Sequence, residues 1–369
     1  MPPCAPRSSR ARGQQYESGE ALERRNGILA CLLHAGTLLL DEVTHMKAAA
    51  ISLIGLALGV LAWQATRPPV TAVDRAELRS PGLGPNAPLG GRRIFPADNP
   101  WNTDISRAPV DPKSDTYIAS IGADLSLHPD FGTVWNGAPN GIPYVVVPGS
   151  QPKVPVKFRY ADESDRGPYP IPPDPPIEGG PNGTGDRHVL IVDRDNWRLY
   201  ELFSARHMAD GWHASSGAIF NLNSNALRPD GWTSADAAGL PILPGLVRYD
   251  EVVGWGEIRH ALRFTVARTR RAYVFPARHF ASQSSDPSLP PMGMRVRLKA
   301  DYDISGFPPE AQVILKALRR YGMFLADNGG NWFLSGAPDP RWNDEALATL
   351  KRVHGRDFEV VKMGPLTSG

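Results

Sequence analysis

Residues 186–203 read DRHVLIVDRDNWRLYELF, which is two largely apolar runs on either side of a polar turn. Runs rich in Val, Ile, Leu and Tyr and joined by Asp and Asn predict a β-hairpin. With Arg194 and Asp195 as the two loop residues, His188 lies directly opposite Glu201 on an otherwise apolar face. Such a pair suits general acid–base catalysis, and the competing interpretation is a structural hydrogen bond within the sheet.

The chain around this hairpin contains further short runs of β-type residues, separated by Pro, Gly, Asn and Asp. These runs lie at residues 144–147, 154–158, 258–266, 272–275 and 294–298. Only Pro309–Tyr321 and Asn343–Val353 have helical spacing and helix-ending residues. Parallel crossovers need more helices than this. The pattern predicts a mainly β chain, with one jelly-roll-like β-sandwich domain over residues 93–362 and two short peripheral helices.

The segment before this domain has the layout of an export signal. Met46 and Lys47 precede an uncharged apolar run that ends at Trp63, so residues 46–72 are predicted to be a signal peptide or a membrane anchor. Residues 1–45 then lie ahead of the true start as a mis-called extension, and residues 73–92 read as a Pro/Gly-rich linker. We therefore expect an extracellular or periplasmic protein, anchored through residues 46–63 if the signal stays uncleaved.

Composition excludes several classes of function. Residues 1–72 hold 7 of the 40 Lys and Arg and 5 of the 38 Asp and Glu, which leaves 33 of each in the exported part. This zero net charge argues against a nucleic-acid partner. Both cysteines, Cys4 and Cys31, precede Met46. Motifs for metal, nucleotide or serine-hydrolase chemistry are missing, so we expect no cofactor and no metal ion.

A second predicted hairpin carries another histidine on an apolar face. In residues 258–266, His260 shares its face with apolar residues, whereas Arg263 lies on the opposite face. The return strand leads to Arg278 and His279, which brings these side chains near the same end of the sheet. His260 is then either a satisfied core histidine or part of a polar cleft.

Between the two hairpins lies a long polar stretch, residues 215–241, that has little to bury. Amides and carboxylates bind sugar hydroxyls, and aromatic rings cover the apolar faces of sugars. The candidate substrate-binding residues are Asn221, Asn223, Trp232, Asp236, Arg278 and His279.

Two other predicted loops could contribute to a site. Residues 167–185 contain seven prolines, which predicts either a stiff wall beside a site or an ornamental surface loop. His128–Gly132 reads as a tight turn in which Asp130 is an additional carboxylate candidate.

Several stretches resemble an uncharacterised family of exported bacterial and fungal all-β proteins. They are residues 99–104, 128–132, 217–248, 260–266 and 318–329, and the resemblance covers most of residues 93–362. It implies an exported domain and no particular activity.

We expect a carbohydrate-active enzyme that cleaves the glycosidic bonds of a polysaccharide. A hydrolase needs two carboxylates, for which Glu201 is the first candidate and Asp230, Asp236, Glu251 and Glu257 are candidates for the second. A lyase would instead use His188 or His260 as base, with Arg278 neutralising a uronate carboxylate. The alternative is a non-catalytic glycan- or cell-envelope-binding protein.

Overall fold

The hairpin at residues 186–203 is present in the computed structural model of this protein, which describes residues 72–369. Val189–Asp193 pairs antiparallel with Arg198–Phe203, and Leu190 lies opposite Glu201. The turn spans four residues instead of two, because the Asp193 carboxylate accepts a hydrogen bond from the Asn196 amide at 3.0 Å. The register therefore differs by two residues from the predicted one, and each side chain keeps its face.

The described chain is mainly β, as predicted, with few short helices. The strands are β1 Gly84–Pro85, β2 His128–Asp130, β3 Val134–Trp135, β4 Ala138–Pro139, β5 Tyr144–Val147, β6 Val156–Phe158, β7 Val189–Asp193, β8 Arg198–Phe203, β9 Arg206–Met208, β10 Gly211–Ala214, β11 Ser216–Asn221, β12 Leu262–Val266, β13 Ala272–Val274, β14 Arg295–Leu298, β15 Met323–Asn328, β16 Phe333–Ser335, β17 Phe358–Val360 and β18 Leu366–Ser368. The α-helices are α1 Ala72–Leu78, α2 Ser114–Ile121, α3 Pro309–Arg320 and α4 Asp344–Ala348. Short 3-10 helices occupy Pro100–Asn102, Ala161–Glu163, Leu243–Gly245, Thr349–Arg352 and Gly355–Asp357, and Asp250–Trp255 is a π-helix.

Two large sheets enclose the main hydrophobic core. One has five strands in the order β1-β5-β7-β8-β11, and the other has six strands in the order β17-β14-β15-β12-β16-β2. Side chains such as Leu190 from the first sheet and Phe264 from the second meet in one core cluster. This arrangement is compatible with the predicted β-sandwich. Both sheets are mixed, with parallel pairs such as β5–β7 and β12–β15.

The five-stranded sheet is buried on both faces. Its outer face contributes Val189, Ile191 and Leu202 to a second, smaller core. The three-stranded sheet β6-β10-β9 and residues of the proline loop, Tyr169 and Ile171, contribute to the same core. The start of the proline loop is thus packed against the fold, and most of the loop after Ile171 is partly or fully exposed.

Residues 73–92 are not a free linker, because several of their apolar side chains are buried. Leu78, Ala87 and Leu89 belong to the main core, and β1 pairs with β5. The first described residues are therefore part of the compact unit that spans residues 71–369.

Two further predictions about strands are wrong. The stretch predicted as a long polar loop begins with β11, which pairs with β8 over six residues. The second hairpin does not form, because β12 pairs with β15 and β16 while β13 pairs with β18. Tertiary pairing with distant strands overrides the local hairpin pattern here.

The two predicted helices are both present. The first is α3, and the second is α4 followed by the 3-10 helix Thr349–Arg352. Among residues 72–369, no helix is both long and apolar enough to cross a bilayer. The predicted extension at residues 1–45, and all but the last residue of the predicted signal or anchor at residues 46–72, lie outside the described residues.

Candidate functional site

Four adjacent strands of the six-stranded sheet carry a row of polar side chains on one face. Asp130 of β2 pairs with Ser335 of β16. The Ser335 hydroxyl in turn accepts a hydrogen bond from Arg263 of β12. Asp327 of β15 pairs with Thr265, two residues farther along β12. The sheet order β15-β12-β16-β2 therefore places Arg263 between two carboxyl groups, Asp327 on one side and Asp130 on the other.

Arg263 forms a fully buried ion pair with Asp236. Its Nε and Nη2 donate to the two carboxylate oxygens at 2.9 and 2.6 Å, and neither residue is more than 3% exposed. Burial alone would lower the pKa of the guanidinium, but Asp236, Asp327 and Glu178 together raise it. A bidentate pair of this kind fixes both side chains.

His188 pairs with Glu178 of the proline loop and not with Glu201. The Nδ1–H donates to the Glu178 carboxylate at 2.6 Å, and Nε2 lies 3.1 Å from the carbonyl oxygen of Ala235. Both ring nitrogens face acceptors, so the imidazolium form is stabilised. Burial would lower the pKa of His188, yet Glu178 raises it to about 9. Burial would likewise raise the pKa of Glu178, yet His188 holds it below its usual value.

Arg187 shapes the loop that delivers Glu178. Its buried guanidinium donates to the carbonyl oxygens of Pro181, Gly183 and Ala205 at 2.9–3.1 Å. Arg187 itself has a φ of 54°, a left-handed conformation that costs a non-glycine residue energy. These bonds bind the loop back on the start of β7, and Glu178 consequently meets His188.

We call Asp130, Glu178, His188, Asp236, Arg263 and Asp327 the charged cluster. Its carboxyl groups differ sharply in their tendency to ionise. Burial, followed by the neighbouring Asp236, raises the pKa of Asp327 to about 8. Burial also raises the pKa of Asp130, a shift that His128 opposes and Glu178 reinforces. At neutral pH the cluster therefore presents an ionised carboxylate at Glu178 and a protonated carboxyl at Asp327.

Three carboxyl groups of this cluster are accessible to water. The Asp130 side chain is exposed, Asp327 is partly exposed, and the Glu178 side chain is 24% exposed. Asp236, Arg263 and His188 lie underneath and are buried. An accessible rim of titratable groups on a rigid, buried support is the arrangement that acid–base chemistry requires.

Among residues 72–369, Glu178, Asp186 and His188 form a group that could hold a metal ion, since their ligand atoms lie within 4.8 Å of one another. The Nδ1···Oε2 separation of 2.6 Å between His188 and Glu178 matches a charge-assisted hydrogen bond. Two ligands on one tetrahedral zinc ion, each about 2.0–2.2 Å from the metal, lie farther apart, at roughly 3.3 Å. The observed spacing fits a shared proton.

Glu201, the first catalytic candidate from the sequence, is a buried residue that supports the fold. It is fully buried, and its carboxylate accepts hydrogen bonds from the backbone amides of Ile242 and Leu243 at 2.9–3.0 Å. Burial raises the pKa of Glu201 to about 7, although these two amides act in the opposite direction. The predicted direct His188–Glu201 pair is wrong, because the four-residue turn moves His188 alongside Phe203, with ring centroids 5.7 Å apart.

Replacing Glu201 with Met should lower the free energy of unfolding by about 2–3 kcal/mol, because two buried N–H groups lose their acceptor. Glu201→Gln should cost less, since its amide oxygen still accepts a hydrogen bond. Chemical denaturation measures both. Loss of activity in a Glu201→Gln variant of unchanged stability would instead put Glu201 in the site.

Glu251 and His260 lie together in a separate buried group. The Glu251 carboxylate contacts the guanidinium of Arg248 at 2.7 Å and Nε2 of His260 at 2.9 Å, while His260 Nδ1 contacts its neighbour's carbonyl oxygen at 2.8 Å. His260 precedes β12 and is not on it. Both residues are thus paired with each other and not with the charged cluster, and Glu257 forms an exposed contact with Arg320 at 3.6 Å.

The remaining candidates lie at residues 221–236 and in the segment after β13. Asp230 and Arg278 form an ion pair of 2.9 Å, and the Asp230 carboxylate also accepts a hydrogen bond from the Tyr273 hydroxyl. His279 Nδ1 lies 2.7 Å from the carbonyl oxygen of Ala237, one residue after Asp236. Of the predicted binding residues, Asp236 therefore belongs to the charged cluster and His279 contacts the adjoining backbone.

Asn221, Asn223 and Trp232 have other contacts. The Asn221 side chain accepts a hydrogen bond from the Asn223 amide at 3.0 Å, which is turn chemistry. Asn223 contacts Arg92 at 3.5 Å, and the guanidinium of Arg228 lies 5.5 Å from the centre of a Trp232 ring.

Sequence reasoning missed three members of the cluster as site residues, Glu178, Arg263 and Asp327. Asp130 was expected to belong to a tight turn, but it ends strand β2. The proline loop was the available signal for Glu178, since a long ordered loop in a compact domain is usually functional.

The free energy of unfolding should fall as the pH rises from about 5 to 9. In the folded protein the pKa of Asp327 is raised from 3.8 to about 8, and the pKa of Glu201 is raised from 4.5 to about 7. The folded protein therefore keeps two protons that the unfolded chain releases at lower pH. The stabilisation from these two groups is complete below their unfolded pKa values and is lost as the pH rises through their folded pKa values. The stabilisation from protonated His188 is complete below pH 6.5 and is lost as the pH rises through its folded pKa of about 9.

Glu178 acts in the opposite sense, because its lowered pKa makes its contribution disappear only in acid. Denaturant titrations at pH 5, 7 and 9 measure this dependence. Asp327→Asn should flatten the decline between pH 5 and 8. Maximum stability at pH 9 would contradict the assignment.

No family model, curated protein or solved structure matches this chain. The resemblance to exported all-β proteins therefore stays a prediction. The charged cluster is the feature of the molecule that points to a function.

Proposed function

We propose that this protein is an exported glycoside hydrolase that cleaves a polysaccharide at the charged cluster. One observation carries the proposal: Glu178 is held ionised and Asp327 is held protonated around the same guanidinium. Glycosidases need such a division between two carboxyl groups, one that donates a proton and one that is a base or nucleophile.

In this proposal Asp327 protonates the oxygen of the leaving sugar as the glycosidic bond breaks. Glu178 accepts a proton from the water molecule whose oxygen forms the new bond to the anomeric carbon. The imidazolium of His188 keeps Glu178 ionised before the reaction. The buried Arg263–Asp236 ion pair supports the site, and its guanidinium interacts electrostatically with both Glu178 and Asp327. These steps consume one water molecule and release two shorter glycans.

The separation of the two reacting carboxyl groups sets the stereochemical outcome. Glu178 and Asp327 both act on the guanidinium of Arg263. A separation of about 6.5–9.5 Å between them gives inversion of configuration, and about 5–5.5 Å gives retention.

A lyase mechanism through His188 or His260 has less support. A lyase base must accept a proton, whereas His188 already carries one between Glu178 and the Ala235 carbonyl. His260 lies 2.9 Å from the buried carboxylate of Glu251. The second candidate, a non-catalytic glycan-binding protein, is favoured by an exposed tryptophan, Trp135, five residues after Asp130.

The test is incubation of the full chain with cellulose, chitin, xylan and alginate. Release of reducing ends without the absorbance of an unsaturated sugar is expected, and proton NMR of the first-formed anomer distinguishes inversion from retention. Binding without release would favour the non-catalytic alternative. Release of an unsaturated product would overturn the hydrolase.

A further inference from the structure

A small hairpin beside the charged cluster carries an exposed tryptophan. Strands β3 and β4 pair through Val134 and Trp135, and Asn136 and Gly137 form the turn with φ values of 49° and 79°. Two successive left-handed residues are typical of the tight turn of a two-residue hairpin. Trp135 is 68% exposed and Val134 is 61% exposed. Neighbouring residues of a strand point to opposite faces, so the tip stands in solvent on both sides.

The base of this hairpin is anchored firmly. Phe131 is buried with its ring centroid 5.5 Å from that of Trp342. The amide of Thr133 donates to the Asp344 carboxylate at 3.0 Å, and the Thr133 hydroxyl bonds the same group. The amide of Gly132 donates to the carbonyl oxygen of Asn140 at 3.0 Å. Such a base holds the backbone of the hairpin in place.

The hairpin adjoins the charged cluster from two directions. Along the chain, Trp135 follows Asp130 by five residues. Across space, Ala138 lies against Gly180, where an added Cβ atom would be 3.8 Å from the Ala138 Cβ. Gly180 is two residues from Glu178 in the proline loop. The hairpin that carries Trp135 thus adjoins the proline loop that carries Glu178.

We infer that Trp135 is the stacking platform of a sugar-binding subsite, which holds a pyranose ring of the glycan next to the cluster. This inference rests on the proposed function, because it places the ring on the substrate of that reaction. An indole covers the apolar C–H face of a sugar, while nearby carboxyl groups accept bonds from its hydroxyls. A sugar polymer satisfies both the exposed aromatic ring and the polar groups beside it.

The experiment compares the full chain with Trp135→Ala, Trp135→Phe and the neighbouring Val134→Ala. Binding to cellulose, chitin and xylan is measured by depletion from solution or affinity electrophoresis, and hydrolysis by reducing ends. Trp135→Ala should weaken binding about tenfold or more, the effect of truncating an aromatic anchor. Trp135→Phe should recover part of this loss, and Val134→Ala should bind normally. Unchanged melting temperatures are expected, since both side chains are exposed.

Each outcome separates the subsite from the proposed reaction. Hydrolysis with normal binding by Trp135→Ala would overturn the subsite alone. Binding that depends on Trp135 without any hydrolysis would support the subsite and overturn the hydrolase. No binding by the unaltered chain to any of these polymers would overturn both. Sedimentation that shows self-association abolished by Trp135→Ala would assign the hairpin to contact between copies and also overturn the subsite.

Discussion

Replacing Arg263 with Met should lower the free energy of unfolding by about 3–5 kcal/mol, the usual cost of removing one partner of a buried ion pair. The change leaves the Asp236 carboxylate, which is 0% exposed, without its bidentate donor. It also removes the hydrogen bond to Ser335 that joins β12 to β16. Denaturant titration at pH 7 measures the loss.

Two further variants make this prediction specific. Arg166→Met removes an exposed arginine and should change stability by no more than about 0.5 kcal/mol. The double variant Arg263→Met/Asp236→Leu should recover most of the loss, because no unpaired charge stays buried. A double variant as unstable as the single one would show that the pair stabilises through packing and not through charge.

The sequence predicts best where local pattern and tertiary position agree. Strand β5 has its predicted bounds, because an uninterrupted run of valines suits a strand buried on both faces. Helix α3 was recognisable from its spacing and its prolines. The hairpin at residues 186–203 was found with a register error of two. Apolar alternation cannot detect that error, since a shift by two residues preserves both faces.

The charged cluster was beyond local reasoning because its contacts join distant parts of the chain. Arg263 bonds Asp236 and Ser335, which are 27 and 72 residues away. Arg263 lies on the polar face of a predicted strand, and this position does not indicate that the loop carrying Asp236 covers it. Asp236 was recognised as a candidate, but its partner was not. Glu178 reaches His188 from the proline loop, which hydrogen bonds from Arg187 hold against the start of β7.

Replacing Glu178 with Gln should lower turnover about 10²- to 10⁴-fold, the usual contribution of a positioned acid or base. The amide retains the shape of the carboxylate and still accepts the hydrogen bond from His188, so the fold should persist. It cannot accept a proton from water. Asp174→Asn is the matched control, because Asp174 is an exposed carboxylate four residues away in the same loop. Its activity should equal that of the unaltered chain.

The pH dependence of hydrolysis identifies the partner of Glu178. Activity requires Glu178 ionised and Asp327 protonated, so the rate should fall in acid below the lowered pKa of Glu178 and in alkali above about 8. Asp327→Asn should reduce turnover by a similar factor and abolish the alkaline limb of the residual rate, while Glu178→Gln should abolish the acidic limb. Full activity in Glu178→Gln would exclude it as the base. An alkaline limb that persists in Asp327→Asn would transfer the role of acid to another carboxyl, with Asp130 the next to replace.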